Sequence, residues 1–220
     1  MLKKISQSET LADRAYREIK QAIIQSKFLP GDPLPEETIA SMLGISRTPL
    51  RNAIARLAYD GLVEIETGKI ARVAVVSQKD CEDFLKLRRV LEVFSAEEAV
   101  PYVTDDFIKS LEDLMVEQKE AIDDKDFYHY IELDFQFHVT IAQISRNQKL
   151  HYFIQQVNNQ LHRYLILSGT LEDSADQAYL EHLEIIEALK QGDAAKARET
   201  MQRHIENVEK RSRMIKGELF

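Results

Sequence analysis

One cysteine, Cys81, stands in 220 residues, so no intrachain disulfide can form and a reducing compartment, the cytoplasm, is the expected setting. Long apolar runs are missing too: no window approaches the roughly 18 uninterrupted apolar residues that a membrane-spanning helix needs. The opening MLKKISQSETLADRAYREIK lacks the apolar core of a secretory leader, and no membrane is expected among the partners. There is no HExxH, the commonest helical signature of a zinc hydrolase. Nor is there an overall excess of positive charge, since the formal net charge is -8.

What is present is 44% hydrophobic residues, enough for two modest cores, and a lopsided charge distribution. Residues 1–76 hold 11 Lys/Arg against 9 Asp/Glu, whereas residues 77–220 hold 18 against 28. Such asymmetry suggests one half facing a nucleic acid and another half doing something else. Two domains are expected, 1–76 and 77–220.

In the first half, Leu11, Ala15, Ile19, Ala22 and Ile23 form a helical stripe that ends before LPGDPLP. A second helix starts at Pro35-Glu36-Glu37, with acids at the positive end of its dipole. Its inner face reads Ile39, Met42 and Leu43, and it stops at Gly44. Ser46 is placed to cap a third helix with Pro49 in its first turn. On that helix Leu50, Ile54 and Leu57 share one face, while Arg47, Thr48, Arg51 and Asn52 fall outside it. After Gly61 the period changes to two, with Val63 and Ile65 before ETGK and Val73 and Val75 after it, a small hairpin. Three helices, the last two joined by a tight turn, then a hairpin, outline a winged helix-turn-helix whose Arg47, Thr48 and Arg51 enter a major groove.

The run PGDPLPEETIASMLGISRTPLRNAIARLAYDGLVEIETGKIARV resembles the N-terminal domain of GntR-type bacterial transcription regulators, most specifically in SRTPLRNAIARLAYDGLV. That resemblance covers about residues 8–76 and implies that Arg47, Thr48 and Arg51 touch DNA and that Thr67, Gly68 and Lys69 form the wing tip. Glu37 departs from the pattern, standing where many relatives have an arginine. A carboxylate there repels phosphate unless it reads a cytosine amino group, so Glu37 is left outside the expected DNA-binding set.

From Asp80 onward the sequence reads as continuous helix, with stripes Phe84, Leu87, Leu91, Phe94 and then Phe107, Leu111, Leu114. Further helices fit 126–145, 148–167, 175–190 and 193–212, making an antiparallel bundle of about six. Asp134 and His138 stack on one helix face, four residues apart. His182, beside Leu183 and Ile186, and His204, between Met201 and Val208, face inward. Three imidazoles and a carboxylate from three helices make a plausible set of ligands for a divalent metal. Taken singly, a buried histidine is more often a core residue hydrogen-bonded to a neighbour than a ligand, and His129, His151 and His162 are read as ordinary. Tyr128 and Tyr130 either line a cavity or pack. Asn147 reads as a helix cap.

The pattern D-x-x-x-H, then EH-x-x-I-x-x-AL-x-x-GD-x-x-x-A, then M-x-x-H resembles the FCD domain of the FadR subfamily over about residues 78–214. The resemblance implies ligation of a divalent metal by Asp134, His138, His182 and His204; the donor types suit zinc first, and nickel or manganese as well. The segment LRRVLEVFSAEEAV resembles that subfamily's R-x-x-L-E helix, which implies that Arg88 meets an acidic effector. Arg88 also has a plainer role open to it, a salt bridge with Glu92 one turn on.

A ligand-responsive transcription regulator follows from this reading: a homodimer on double-stranded operator DNA, with a small organic acid as effector. A metal-dependent hydrolase using the His/Asp site, with Glu132 as its base, is the alternative from another class, and a bundle around a purely structural metal is a third.

Overall fold

Thr10 sets where the first helix begins. Its hydroxyl accepts a hydrogen bond from the Asp13 N–H while the Asp13 carboxylate accepts one from the Thr10 N–H, a reciprocal cap that opens α1 (Leu11–Ile24). A computed structural model describes residues 9–212, and the chain divides between Val75 and Val76 into two units, each with its own core. Residues 1–8, read above for a leader, and residues 213 and 214 of the FCD resemblance lie outside the described residues.

In the first unit α2 (Glu36–Leu43) ends at Gly44, whose φ of +64° is the left-handed conformation that closes a helix and suits glycine. Only Ile45 and Ser46 then precede α3 (Arg47–Tyr59). Ser46 occupies the cap position, but its hydroxyl makes no capping hydrogen bond. Leu50, Ile54 and Leu57 of α3 are buried against Ile19, Ile23 and Ile39 of the other two helices, and Ala53 is buried as well. Met42, expected inside, is 70% exposed, whereas Ile39 and Ala40 are buried and Leu43 packs partly buried against the same core.

The hairpin is shorter than the alternation suggested. β1 (Val63–Glu64) pairs antiparallel with β2 (Arg72–Val73), with Val63 opposite Val73. Ile65 and Val75 are exposed, because the ladder stops before either residue and the following backbone no longer alternates faces against the core. A third segment supports it: the Leu34 N–H donates to the Ala71 carbonyl and the Val73 N–H to the Asp32 carbonyl.

The second unit holds six α-helices among the described residues: α4 (Gln78–Ala99), α5 (Asp105–Asp123), α6 (Phe127–Ile144), α7 (Gln148–Ser168), α8 (Leu171–Lys190) and α9 (Ala194–Ser212). α8 starts at Leu171 rather than 175, since the turn takes only Gly169 (φ +66°) and Thr170, and Glu172 and Asp173 suit a helix start. Asn147 caps α7 through its side-chain oxygen, which accepts from the Leu150 N–H. A core of Leu111, Met115, Phe137, Ile141, Ile185 and Leu189 holds α5, α6 and α8 together.

The predicted stripe of α4 needs correction. Leu87 and Phe94 are 52% and 44% exposed, and the buried line runs instead through Cys81, Leu85, Arg88, Glu92, Ser95, Ala96 and Ala99. The apolar residues mislead because the true inner line includes an arginine and a glutamate.

Candidate functional site

α3 presents Arg47, Thr48, Arg51 and Asn52 outward, opposite its buried leucines. Thr67, Gly68 and Lys69 form the exposed tip between β1 and β2, where the Lys69 N–H closes a turn on the Glu66 carbonyl and Gly68 takes φ +79°. Arg47, Arg51, Gly68 and Lys69 line one open cleft of about 530 Å³ together with Glu36 and Glu37; Thr48 and Thr67 lie outside it. So the helix start and the wing tip, read separately in the sequence, border a single surface depression.

In the second unit α6 supplies Asp134 and His138, α8 His182 and α9 His204, all four buried and with one donor atom from each within 4.8 Å of the others. Gln118 of α5 lies 3.1 Å through Oε1 from His182 Nδ1, and Glu181 lies 2.8 Å through Oε2 from His204 Nδ1. Amide and carboxylate oxygens can only accept, so both Nδ1 atoms carry the hydrogen and both Nε2 atoms keep a lone pair. His138 Nδ1 lies 2.7 Å from Glu92 Oε2, close but not aligned as a hydrogen bond. The Nε2 atoms of His138, His182 and His204 have no hydrogen-bond partner. The nearest carboxylate oxygen, Asp134 Oδ1, is 3.4 Å from His182 Nε2 and 3.9 Å from His138 Nε2.

Burial holds the three imidazoles below the ordinary histidine range, so they are neutral, as a metal ligand must be. For His204 the Glu181 hydrogen bond works the other way without reversing the shift. Burial pushes the Asp134 carboxyl up to about 6, against the lowering pull of Arg88. Several buried lone pairs with nothing to bind are costly, and a divalent cation satisfies them together. The residues therefore fit such an ion.

Arg88, 1% exposed, makes the salt bridge with Glu92 that the sequence left open and also faces Asp134. Its Nε donates to Glu92 Oε1 at 3.0 Å, while Nη2 stands 3.7 Å from Asp134 Oδ2 and makes no hydrogen bond. Burial opposes its charge, but Glu92 and Asp134 more than offset this and keep it ionised. Arg88, Tyr130, Asp134, Thr170, Ser174 and Arg211 line a cavity of about 30 Å³. Tyr130 thus lines a cavity, whereas Tyr128 is 41% exposed.

Of the residues that hold these groups, sequence reasoning named Glu92 only as a partner of Arg88 and passed over Glu181 and Gln118. Glu92 accepts from Arg88 and from Asn158 Nδ2 at 2.7 Å, and its place four residues after Arg88 was the available signal. Glu181, next to His182, binds His204, Asn207 and both terminal nitrogens of Arg211. Those hydrogen bonds outweigh its burial and bring it down to about 2. Gln118 carried no signal.

Comparison with known proteins places this architecture. Residues 11–73 match the bacterial regulatory proteins of the gntR family, and residues 83–207 match the FCD domain. The chain belongs to the GntR family, with an FCD domain. Among relatives of this GntR regulator, the Uxu operon transcriptional regulator of Escherichia coli K12 is 32% identical over 233 aligned residues, covering 93% of this chain and 89% of that protein. The HTH-type transcriptional repressor RspR of the same strain is 25% identical over 214 residues, 97% and 94% of the two chains. In fold, the E. coli McbR/YncC structure matches with a TM-score of 0.80 at 20% identity, covering 91% of this chain and 96% of its own. A GntR regulator from Rhodococcus sp. RHA1 matches with a TM-score of 0.82 at 22%, covering 94% and 99%. The protein is a DNA-binding transcription regulator rather than an enzyme, which sets the hydrolase alternative aside. No helix among the described residues is long and apolar enough to cross a membrane.

Proposed function

We propose that this GntR regulator acts in the cytoplasm as a homodimer, with residues 1–76 binding operator DNA and residues 77–220 binding effector and the second subunit. Arg47, Thr48 and Arg51 read the major groove, and Thr67, Gly68 and Lys69 contact DNA from the wing. Each chain offers one reading helix, so a two-fold dimer on a pseudo-palindromic site follows. An exposed apolar stripe on α4, Leu87, Val90 and Phe94, supports the pairing of two copies.

Asp134, His138, His182 and His204 would hold one divalent ion, zinc by choice of donors, though nickel or manganese accept the same set. When bound, such an ion supplies a Lewis-acid centre for a carboxylate oxygen. Arg88 gives the effector its second hold: its orphaned Nη2 donates to an anionic oxygen, while Glu92 fixes Nε and keeps the guanidinium oriented. The observation that carries this reading is three unpartnered Nε2 atoms grouped around Asp134, whose Oδ2 stands 3.7 Å from the unpartnered Arg88 Nη2.

The cavity beside Arg88 and Asp134, about 30 Å³, is lined by none of the three histidines and has room for one or two waters and no organic acid of useful size. Uptake therefore requires a wall to part, and the walls are the start of α8 (Thr170, Leu171, Ser174) and the end of α9 (Val208, Arg211). An acid that binds only the opened arrangement shifts the population toward it. A coupling of about 1–3 kcal/mol changes DNA affinity about 5- to 150-fold.

The test is calorimetric titration of mono-, di- and hydroxycarboxylic acids into metal-loaded protein, followed by release of a duplex enriched from a randomised pool. A binding acid should lose about 10- to 100-fold in affinity for Arg88→Ala, the range of a charge-assisted hydrogen bond. Equal binding to both proteins would remove Arg88 from the pocket.

A further inference from the structure

The reading cations do not stand free. Arg51 Nε donates to both oxygens of Glu36, each at 2.8 Å. Arg47 Nη2 lies 3.1 Å from Glu37 Oε2, and Lys69 Nζ lies 2.5 Å from Glu66 Oε2. Each cation expected to meet DNA thus carries its own carboxylate. Two of the three acids come from one place, the first turn of α2, which Pro35 starts and the helix dipole suits to acids. Glu36, Glu37, Arg47, Arg51 and Lys69 line the same cleft.

We infer that Glu36 and Glu37 are specificity-determining residues: they position the reading arginines and cancel the surface's attraction for phosphate, so that base edges are favoured over backbone. This rests on the reading of α3 as the DNA-contacting helix. Two physical points carry it.

The first is geometric. Glu36 occupies the inner nitrogen of Arg51 and leaves both terminal nitrogens without a hydrogen bond to any described residue. Those two nitrogens are a fork that matches O6 and N7 of guanine. A guanidinium clamped at Nε has fewer orientations to lose when that fork docks.

The second is electrostatic. A phosphate approaching Arg51 or Arg47 brings its negative charge to within a few ångströms of Glu36 or Glu37, so attraction to the arginine is offset by repulsion from the acid. A guanine edge offers two acceptors without net charge and meets no such repulsion. The acids therefore weaken non-specific binding more than specific binding, the pattern expected of a repulsive specificity element. The wing's Glu66 acts on Lys69 in the same sense. Glu37, the departure from the family pattern, takes its place as the partner of Arg47 rather than as a reader of bases.

The experiment uses full-length protein, a duplex enriched by the wild type from a randomised pool, and the unselected pool itself. Glu36→Gln and Glu37→Gln keep shape and remove charge, and both side chains are at the surface, so circular dichroism should show an unchanged fold. Each should bind the unselected pool about two- to fivefold more tightly, the range an exposed ion pair commands. The salt dependence on the pool should steepen, by up to about 0.9 in log–log slope for each additional phosphate neutralised. The ratio of enriched to unselected affinity should fall. Unchanged pool affinity and slope in both variants would overturn the inference, as would Glu37→Gln losing affinity for the enriched duplex alone, which would make Glu37 a base reader. Arg51→Ala separates the two levels. Loss of enriched-duplex binding there, with no effect of the glutamine variants, defeats only this inference; no effect of Arg51→Ala on either duplex defeats the reading of α3 itself.

Discussion

Replacing His182 by alanine tests the metal centre in a way that separates ligation from packing. The side chain is fully buried, stacks on Phe137 with ring centroids 4.3 Å apart, and donates to Gln118. Its removal leaves a cavity and strands the Gln118 oxygen, a cost of about 2–4 kcal/mol whether or not an ion is present. An ion bound only to the folded state contributes separately: at free metal 100 times its dissociation constant the gain is about 2.7 kcal/mol. For a unit of this size that is a melting shift of about 8 °C. The assay is four thermal melts, wild type and His182→Ala, each with zinc and with excess chelator. The packing loss appears in both conditions and cancels in the difference. The wild type should lose about 8 °C on chelation and the variant little or nothing. His162→Ala, also buried but on α7 and outside the donor set, should keep the wild-type shift. An equal chelator shift in wild type and His182→Ala, with undiminished metal by elemental analysis, would refute the assignment of this imidazole.

Two other expectations concern the scaffold. Gly44→Ala should destabilise the first unit by about 1 kcal/mol in denaturant unfolding, because φ is +64° and a Cβ would meet nothing within 4 Å, leaving only the backbone penalty. No change would mean the turn relaxes out of the left-handed region. Cys81 is 2% exposed and burial pushes its thiol up to about 12, so a thiol reagent at a pH of about 8 should label the native protein far more slowly than the denatured chain; equal rates would contradict its burial.

Much of this protein was legible in its residues because local physics decides helices and turns. The third helix's division into Leu50, Ile54 and Leu57 against Arg47, Thr48 and Arg51 needed only the 3.6-residue period, and Gly44 needed only the steric freedom of glycine. The i, i+4 spacing of Asp134 and His138 likewise put both on one face before any fold was known. Tertiary structure decided what periodicity could not. The α4 stripe was misplaced by one residue because an apolar count ignores Arg88 and Glu92, whose burial is stabilised by partners on α6 and α7: Asp134, His138 and Asn158. The same distance in sequence hid Gln118 and Glu181, which matter only because α5, α8 and α9 bring them to the Nδ1 side of His182 and His204. The pairing of Arg51 with Glu36 spans 15 residues and two helices, so the sequence alone showed a basic reading face where the folded chain presents ion pairs. Charges find their partners through space, and the order of residues along a chain records only the partners within a turn or two.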